Sequence, residues 1–370
     1  MSAEARAENE WWSSAAPAPD PCGFGDRARA RQSILTKPPG SLGALEDIAI
    51  TLAGLQQTDR PTAENCTILV FAGDHGVTAN GVSPYPQDIT AQMVANFANG
   101  GAAISVMARA LSADLRVVDV GVAGDIALGP QQFESVTVDK CKSGTDDFTK
   151  GAAMSPDVCR FAIDAGRRAV CDAGKTYQPN ILVLGEMGIG NTTSAAALTS
   201  ALLMVRPDEA VGPGTGLDAA GIARKADIIG GALTLHGLSN DPAQSPDTAF
   251  NALAKVGGLE IAALVGALIA AGQARLPVIV DGFIVTAAAA VATALNPTVR
   301  PWLLFAHQSA EPGHRLLLSH LDASPLLSLG MRLGEGTGAA AALPLIRLAC
   351  ALHRDMATFA EAGLSEGATP

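Results

Sequence analysis

Five short runs of β-branched and aliphatic residues recur along the chain, and helical sequence follows each of them: TILVFA at 67–72, RVVDV at 116–120, ILVL at 181–184, PVIV at 277–280 and WLLF at 302–305. Strands with no polar alternation need cover on both faces, and strands alternating with helices build a parallel sheet with helices on each side. The expected fold class is α/β: a doubly wound sheet of at least five parallel strands within residues 61–324. Ligands of such sheets bind beyond the carboxyl ends of the strands. Here those ends carry Gly73, Asp74 and His75, then Gly121 and Val122, Gly185 and Glu186, Asp281 and Gly282, and Ala306 and His307. The default site is where these groups gather.

Residues 26–60 and 325–370 read as amphipathic helices that pack together as a small helical domain, with Ser41 a helix cap ahead of Leu42, Leu45, Ile48 and Leu52. Residues 1–25 read as a flexible tail without the apolar run of an export signal. The 370 residues carry a net charge of −11 and are 48% hydrophobic, which excludes wholesale disorder and argues against a nucleic-acid partner held by phosphate electrostatics. The apolar stretches 261–272 and 282–295 fall short of the ~18–20 residues that span a bilayer, so no membrane helix is expected. Six scattered cysteines with no C-x-x-C pair suggest neither zinc nor disulfides and point to a reducing, cytoplasmic setting.

The strongest local motif is GEMGIGNTTSAAALTSAL at 185–202, a strand running through a Gly-rich turn into a helix. Free N–H groups at such a turn make an anion site, and Thr192 and Thr193 at the helix entry favour phosphate over a turn chosen for packing alone. Neither the Gly-Lys-Ser/Thr of a Walker A loop nor G-x-G-x-x-G spacing is present. A second turn, GPGTGLD at 212–218, precedes a helix bearing Arg224 and Lys225. Two Gly turns and a Lys suit a phosphorylated sugar, although this basic pair alone reads more often as a solvated helix face.

In LGMRLGEGTGAAAALPLI at 329–346, Glu335 stands between glycines at the mouth of an apolar helix. Enclosure raises a carboxyl towards the range of a general base, while a helix-start carboxylate favoured by the macrodipole is the plain alternative. In the loop and helix at 71–105, Ser83, Tyr85, Gln92 and Met93 offer hydrogen bonds and a flat apolar surface suited to a planar heteroaromatic ring, unless Pro84 and Pro86 merely shape a surface loop. His307, Glu311 and His314 in FAHQSAEPGH tempt a metal assignment, yet Pro312 and Gly313 break the helix that would align them.

Taken in order, these segments closely resemble the nicotinate-nucleotide:5,6-dimethylbenzimidazole phosphoribosyltransferases. The resemblance runs from about residue 30 to 362 and is carried by KPPGSLG (37–43), FAGDHGV (71–77), GVSPYPQDITAQMV (81–94), GEMGIGNTT (185–193), GPGTGLD (212–218), SAEPGH (309–314) and GMRLGEGTGAA (330–340). It implies a homodimer with a Rossmann-like sheet and a small helical domain formed by both chain ends. It also implies transfer of the phosphoribosyl group of nicotinate mononucleotide to dimethylbenzimidazole with inversion at C1′, without metal or organic cofactor. By the same resemblance Glu335 is the general base and Glu186 a second active-site carboxylate. Gly188, Gly190, Asn191, Thr192, Gly214, Gly216 and Lys225 match the phosphate and ribose surroundings, and Ser83, Tyr85, Gln92 and Leu333 the benzimidazole pocket.

Two rival readings remain at this point. A non-catalytic nucleotide or base carrier would keep the pocket, though an intact Glu335 counts against it. A metal-dependent hydrolase would rest on Asp74, His75, His307 and His314.

Overall fold

A computed structural model describes residues 10–129 and 135–365. Its centre is a six-stranded sheet of β1 (Cys66–Gly73), β2 (Asp114–Gly121), β3 (Val136–Val138), β4 (Ile181–Met187), β5 (Val278–Val280) and β6 (Leu303–Phe305). Every pairing is parallel, in the order β3-β2-β1-β4-β5-β6. This is the doubly wound dinucleotide-fold order, and the strand order reverses between β1 and β4. The five expected runs are all strands. β3 was not expected: it has three residues and two of them are exposed, so it lacks the apolar run that marks the others.

Alternation along the strands feeds two cores. Leu69 and Phe71 of β1 join Leu182 and Leu184 of β4 in one cluster, and Ile68 and Val70 join Ile181 and Val183 in the other. Helices Pro156–Thr176, Asn191–Leu203, Leu259–Gln273 and Phe283–Leu295 supply the first cluster. Helices Pro156–Thr176 and Leu259–Gln273 pack backbone to backbone, because a Cβ on Gly166 would collide with the Ala263 carbonyl and one on Gly266 with the Ile163 carbonyl.

The two chain ends meet on the other face. Arg31 donates to the carbonyls of His353, Arg354 and Met356, and Leu35 bridges Thr358. Yet Ile48, Ala49 and Leu52 share one apolar cluster with Leu343 and Ile346 and with strand residues Ile68 and Val70, so cuts at 60 and 324 divide a single core. Residues 366–370 of the expected helical unit lie outside the described residues. Ser41 does not cap: the helix starts at Ala44 behind Gly43, and the Glu46 carboxylate takes the N–H groups of Gly40 and Leu42 while pairing with Lys37 at 2.8 Å.

The flexible-tail expectation fails from residue 10 onward, and residues 1–9 lie outside the described part. Trp12 is buried and stacks on Phe250, and its carbonyl accepts from Asn296 Nδ2 at 2.7 Å. Trp11 Nε1 donates to Asp164 at 2.6 Å beneath the Arg167 guanidinium. The two indoles give this segment an apolar reason to dock that its polar composition conceals. Among the described residues, no helix is long and apolar enough to cross a membrane.

Candidate active site

A cavity of about 620 Å³ opens at the carboxyl edge of the sheet, beside the point where the strand order reverses. Glu186, Asp281, Glu311 and Glu335 all line it and all are buried, with His307 and Arg332 as further polar wall. One side is apolar: Ile89 and Met93 from helix Ile89–Ala98, Met187 at the end of β4, and Phe283, Ile284 and Val285.

Glu186, next to last in β4, accepts from Asn191 Nδ2 and also takes the backbone N–H of Glu335. Burial, with Glu260, Asp281 and Glu335 nearby, pushes its carboxyl well above the usual range. Glu335 sits between Gly334 and Gly336 in a run of three positive φ angles, 87°, 63° and 82°. A left-handed non-glycine residue stores about 1–3 kcal/mol of strain, which the surrounding structure must hold in place. Here the turn lies flat against β4, since a Cβ on Gly185 would collide with the backbone of Glu335 and Gly336. The side chain of Glu335 reaches the start of helix Ala103–Ala110, where Oε2 accepts from Ile104 N at 3.5 Å. Burial still raises its carboxyl above the ordinary value, helped by Asp281 and opposed by that N–H.

Asp281 follows β5 and accepts the N–H groups of Gly336 at 3.2 Å and Ala339 at 2.9 Å. It therefore holds both the Glu335 turn and the start of helix Thr337–Asp355. His307 Nε2 lies 3.7 Å from Asp281 Oδ1.

The Gly188 turn leads into helix Asn191–Leu203, and Thr192 Oγ1 accepts from Lys225 Nζ at 2.7 Å. Lys225 is 1% exposed, and burial draws its ammonium down to about 8 against the pull of Glu311. Gly214 lies against both Thr192 and Lys225. An oxygen-rich anion would meet N–H groups, a hydroxyl and an ammonium here.

Of the residues singled out in the sequence, Glu186, Glu335, Gly188, Asn191, Thr192, Gly214, Tyr85 and Leu333 line the cavity, and Lys225 lies directly behind Thr192. Tyr85 and Leu333 stand at its mouth, 51% and 60% exposed. Gly190 stands back as the left-handed residue ahead of helix Asn191–Leu203, packed on Thr78 and His75. Gly216 and Ser83 do not line the cavity; Ser83 Oγ meets Thr215 Oγ1 at 3.1 Å and so ties the 81–88 loop to the 212–218 turn. Gln92 is exposed and outside the lining: Ile89 and Met93, four residues apart, hold the inward face of that helix, and Gln92 stands about 60° from Ile89 on the side away from Met93. Arg332 and Ser309 were not singled out, although both lie within the conspicuous 309–314 and 330–340 motifs.

Two of the histidines that suggested a metal, His314 and His75, are otherwise occupied. His314 Nδ1 accepts from Ser309 N at 2.8 Å and Nε2 pairs with Thr286 at 2.9 Å, and burial holds the ring down to about 3, hence neutral. His75 sits between Glu260 at 2.7 Å and Ser194 at 3.0 Å. Among the described residues no cluster of His, Cys, Asp or Glu is arranged for a metal ion.

A family model described as phosphoribosyltransferase matches residues 19–364. A protein of Bradyrhizobium sp. strain BTAi1, named nicotinate-nucleotide–dimethylbenzimidazole phosphoribosyltransferase, is 55% identical over 91% of this chain and 93% of its own. A protein of the same name from Pseudomonas aeruginosa is 51% identical over 96% of this chain and 98% of its own. The crystal structure of the Thermus thermophilus protein of that name superposes with a TM-score of 0.85 at 43% identity, covering 94% of this chain and 100% of that one. With the fold and nearly the whole length in common, the chain belongs to the nicotinate-nucleotide–dimethylbenzimidazole phosphoribosyltransferase family.

Proposed function

We infer that this enzyme transfers the 5-phosphoribosyl group of nicotinate mononucleotide to 5,6-dimethylbenzimidazole, giving α-ribazole 5′-phosphate and nicotinate with inversion at C1′, a step in cobalamin biosynthesis. The observation that carries the reading is one cavity whose wall combines a Gly and Thr anion end backed by Lys225, a flat apolar side and the buried pair Glu186 and Glu335. The carrier alternative needs no such pair of carboxyls.

Nicotinate in the mononucleotide is a pyridinium, so it departs as a neutral ring nitrogen and needs no general acid. The enzyme must orient the acceptor, take one proton and tolerate positive charge on the ribose. On this reading Glu335 accepts the N–H proton of the imidazole ring as the other ring nitrogen bonds to C1′ on the face opposite the departing nicotinate. Its raised carboxyl brings it nearer the working pH of a base. Burial and its acidic neighbours raise the Glu186 carboxyl in the empty cavity, and a pyridinium bound beside it favours the ionised form, which then faces the charge growing on the ribose. Gly188, Asn191, Thr192, Gly214 and Lys225 hold phosphate and ribose, with Gly190 and Gly216 shaping the turns. Tyr85, Leu333, Ile89 and Met93 flank the acceptor ring, and Ser83 steadies the loop that carries Tyr85.

Each step uses side chains and substrates alone and calls on neither a metal nor an organic cofactor. We place the enzyme in the cytoplasm, a setting that the unpaired state of its cysteines supports, and take it as the homodimer that the family resemblance implies.

Incubating the purified protein with nicotinate mononucleotide and dimethylbenzimidazole tests the reading. Nicotinate and α-ribazole 5′-phosphate in equal amounts, followed by chromatography with mass detection, are expected. Tight mononucleotide binding without either product would favour the carrier, and ribose phosphate plus nicotinate alone would mean hydrolysis.

A further inference from the structure

Four polar groups from four separate segments converge on Gly214. Its N–H donates to Glu311 Oε1 at 3.0 Å, and its carbonyl accepts from Arg332 Nη1 at 2.8 Å. A Cβ built on it would lie 3.0 Å from Thr192 Oγ1 and 3.5 Å from Lys225 Nζ. The N–H that an incoming phosphate would meet already carries a carboxylate. That carboxylate is 4% exposed and lines the cavity, and its second oxygen has no hydrogen-bond partner among the described residues.

Glu311 thus does in the empty enzyme what an anion does in the filled one: it answers the buried charge of Lys225 and occupies a turn N–H. A phosphate dianion arriving at the same groups would set like charges side by side away from water, and one of them must then be neutralised by a proton. The groups facing Glu311 are Lys225 from helix Ala219–Leu235 and Arg332 from the 330–336 turn, both cations. On its own segment His314 has both ring nitrogens engaged and takes no proton.

We propose that Glu311 is the internal counter-anion of the phosphate site, and that it takes up a proton from solvent when the 5′-phosphate binds, its new O–H donating to a phosphate oxygen. The proposal rests on the phosphate reading of the Gly214 and Lys225 site given above. Binding of the phosphorylated substrate is then linked to proton uptake, whereas a ligand lacking only the phosphate leaves Glu311 ionised.

Isothermal titration calorimetry at about pH 7, in buffers of different ionisation enthalpy, counts the protons. Nicotinate mononucleotide is expected to take up about one proton more than nicotinate riboside on the wild-type enzyme, a difference from which any contribution of the pyridinium cancels. In Glu311→Gln that difference is expected to fall to near zero while the mononucleotide still binds. Equal proton counts for the two ligands on the wild-type enzyme would overturn the proposal, as would an uptake unchanged in Glu311→Gln. Should the variant fail to fold, the two ligands on the wild-type enzyme decide; should the riboside bind too weakly, the mononucleotide on the two proteins decides. Failure of the mononucleotide to bind at all would sink the phosphate reading, and Glu311 with it.

Discussion

Lys225 has its ammonium drawn down to about 8 by burial, with Glu311 partly compensating. The unfolded chain keeps a Lys protonated to ~10.4, so between about 8 and ~10 it binds more protons than the folded one and stability rises with pH through that window. Phosphate binding runs the other way, because it needs the charged form. Added to the roughly tenfold per pH unit that the Glu311 proton already imposes from about pH 7, the KM for nicotinate mononucleotide is therefore expected to climb by up to about a further tenfold per pH unit above about 8, with kcat little changed. In Lys225→Met the KM should be high throughout, with no step centred there. A wild-type KM whose climb does not steepen above about pH 8 would contradict the role of Lys225. At this scale the sequence was informative where chemistry and turn geometry coincide, as at Glu186, Thr192 and Glu335. It misled at Gln92, where a polar residue suited to the ring sits one position from Met93, which faces the cavity. Arg332 was hidden by Leu333 and Glu335 in the same motif, and Glu311 by a metal reading that its neighbours do not support.

Strands β1, β2, β4, β5 and β6 could be read from sequence because burial on both faces leaves no polar alternation, and the alternation of strands with helices implied parallel pairing. Close helix contact could not be read in the same way, because glycine serves turns, caps and packing alike. Gly166 and Gly266 let helices Pro156–Thr176 and Leu259–Gln273 touch through their backbones. Gly266→Ala places a methyl group against the Ile163 carbonyl, which no flexible side chain can relieve. A loss of about 1–3 kcal/mol is expected from the forced separation, seen as a lower urea midpoint. An unchanged midpoint would mean that the two helices separate without cost.

The whole molecule is closed by its N-terminal segment, which bridges helices that are distant in sequence: Trp11 to Asp164, Trp12 to Phe250 and Asn296, and Trp302 Nε1 to the Pro17 carbonyl at 3.3 Å. Trp12→Ala is expected to cost about 3–5 kcal/mol, measured by urea unfolding, because a buried indole leaves a cavity that its rigid neighbours cannot fill. Turnover per folded molecule should not change, since none of these residues lines the active-site cavity. A variant of unaltered stability would show that the segment rests on the surface without contributing. At the opposite edge of the sheet stands the claim on which the function depends, that Glu335 removes the acceptor's proton while the other groups bind and orient. The most direct test compares wild type and Glu335→Gln at saturating nicotinate mononucleotide and dimethylbenzimidazole, with mononucleotide affinity measured in parallel. Affinity should persist and α-ribazole 5′-phosphate formation should fall by about 10²–10⁴-fold, the range for loss of a general base. Turnover near the wild-type rate would contradict the assignment.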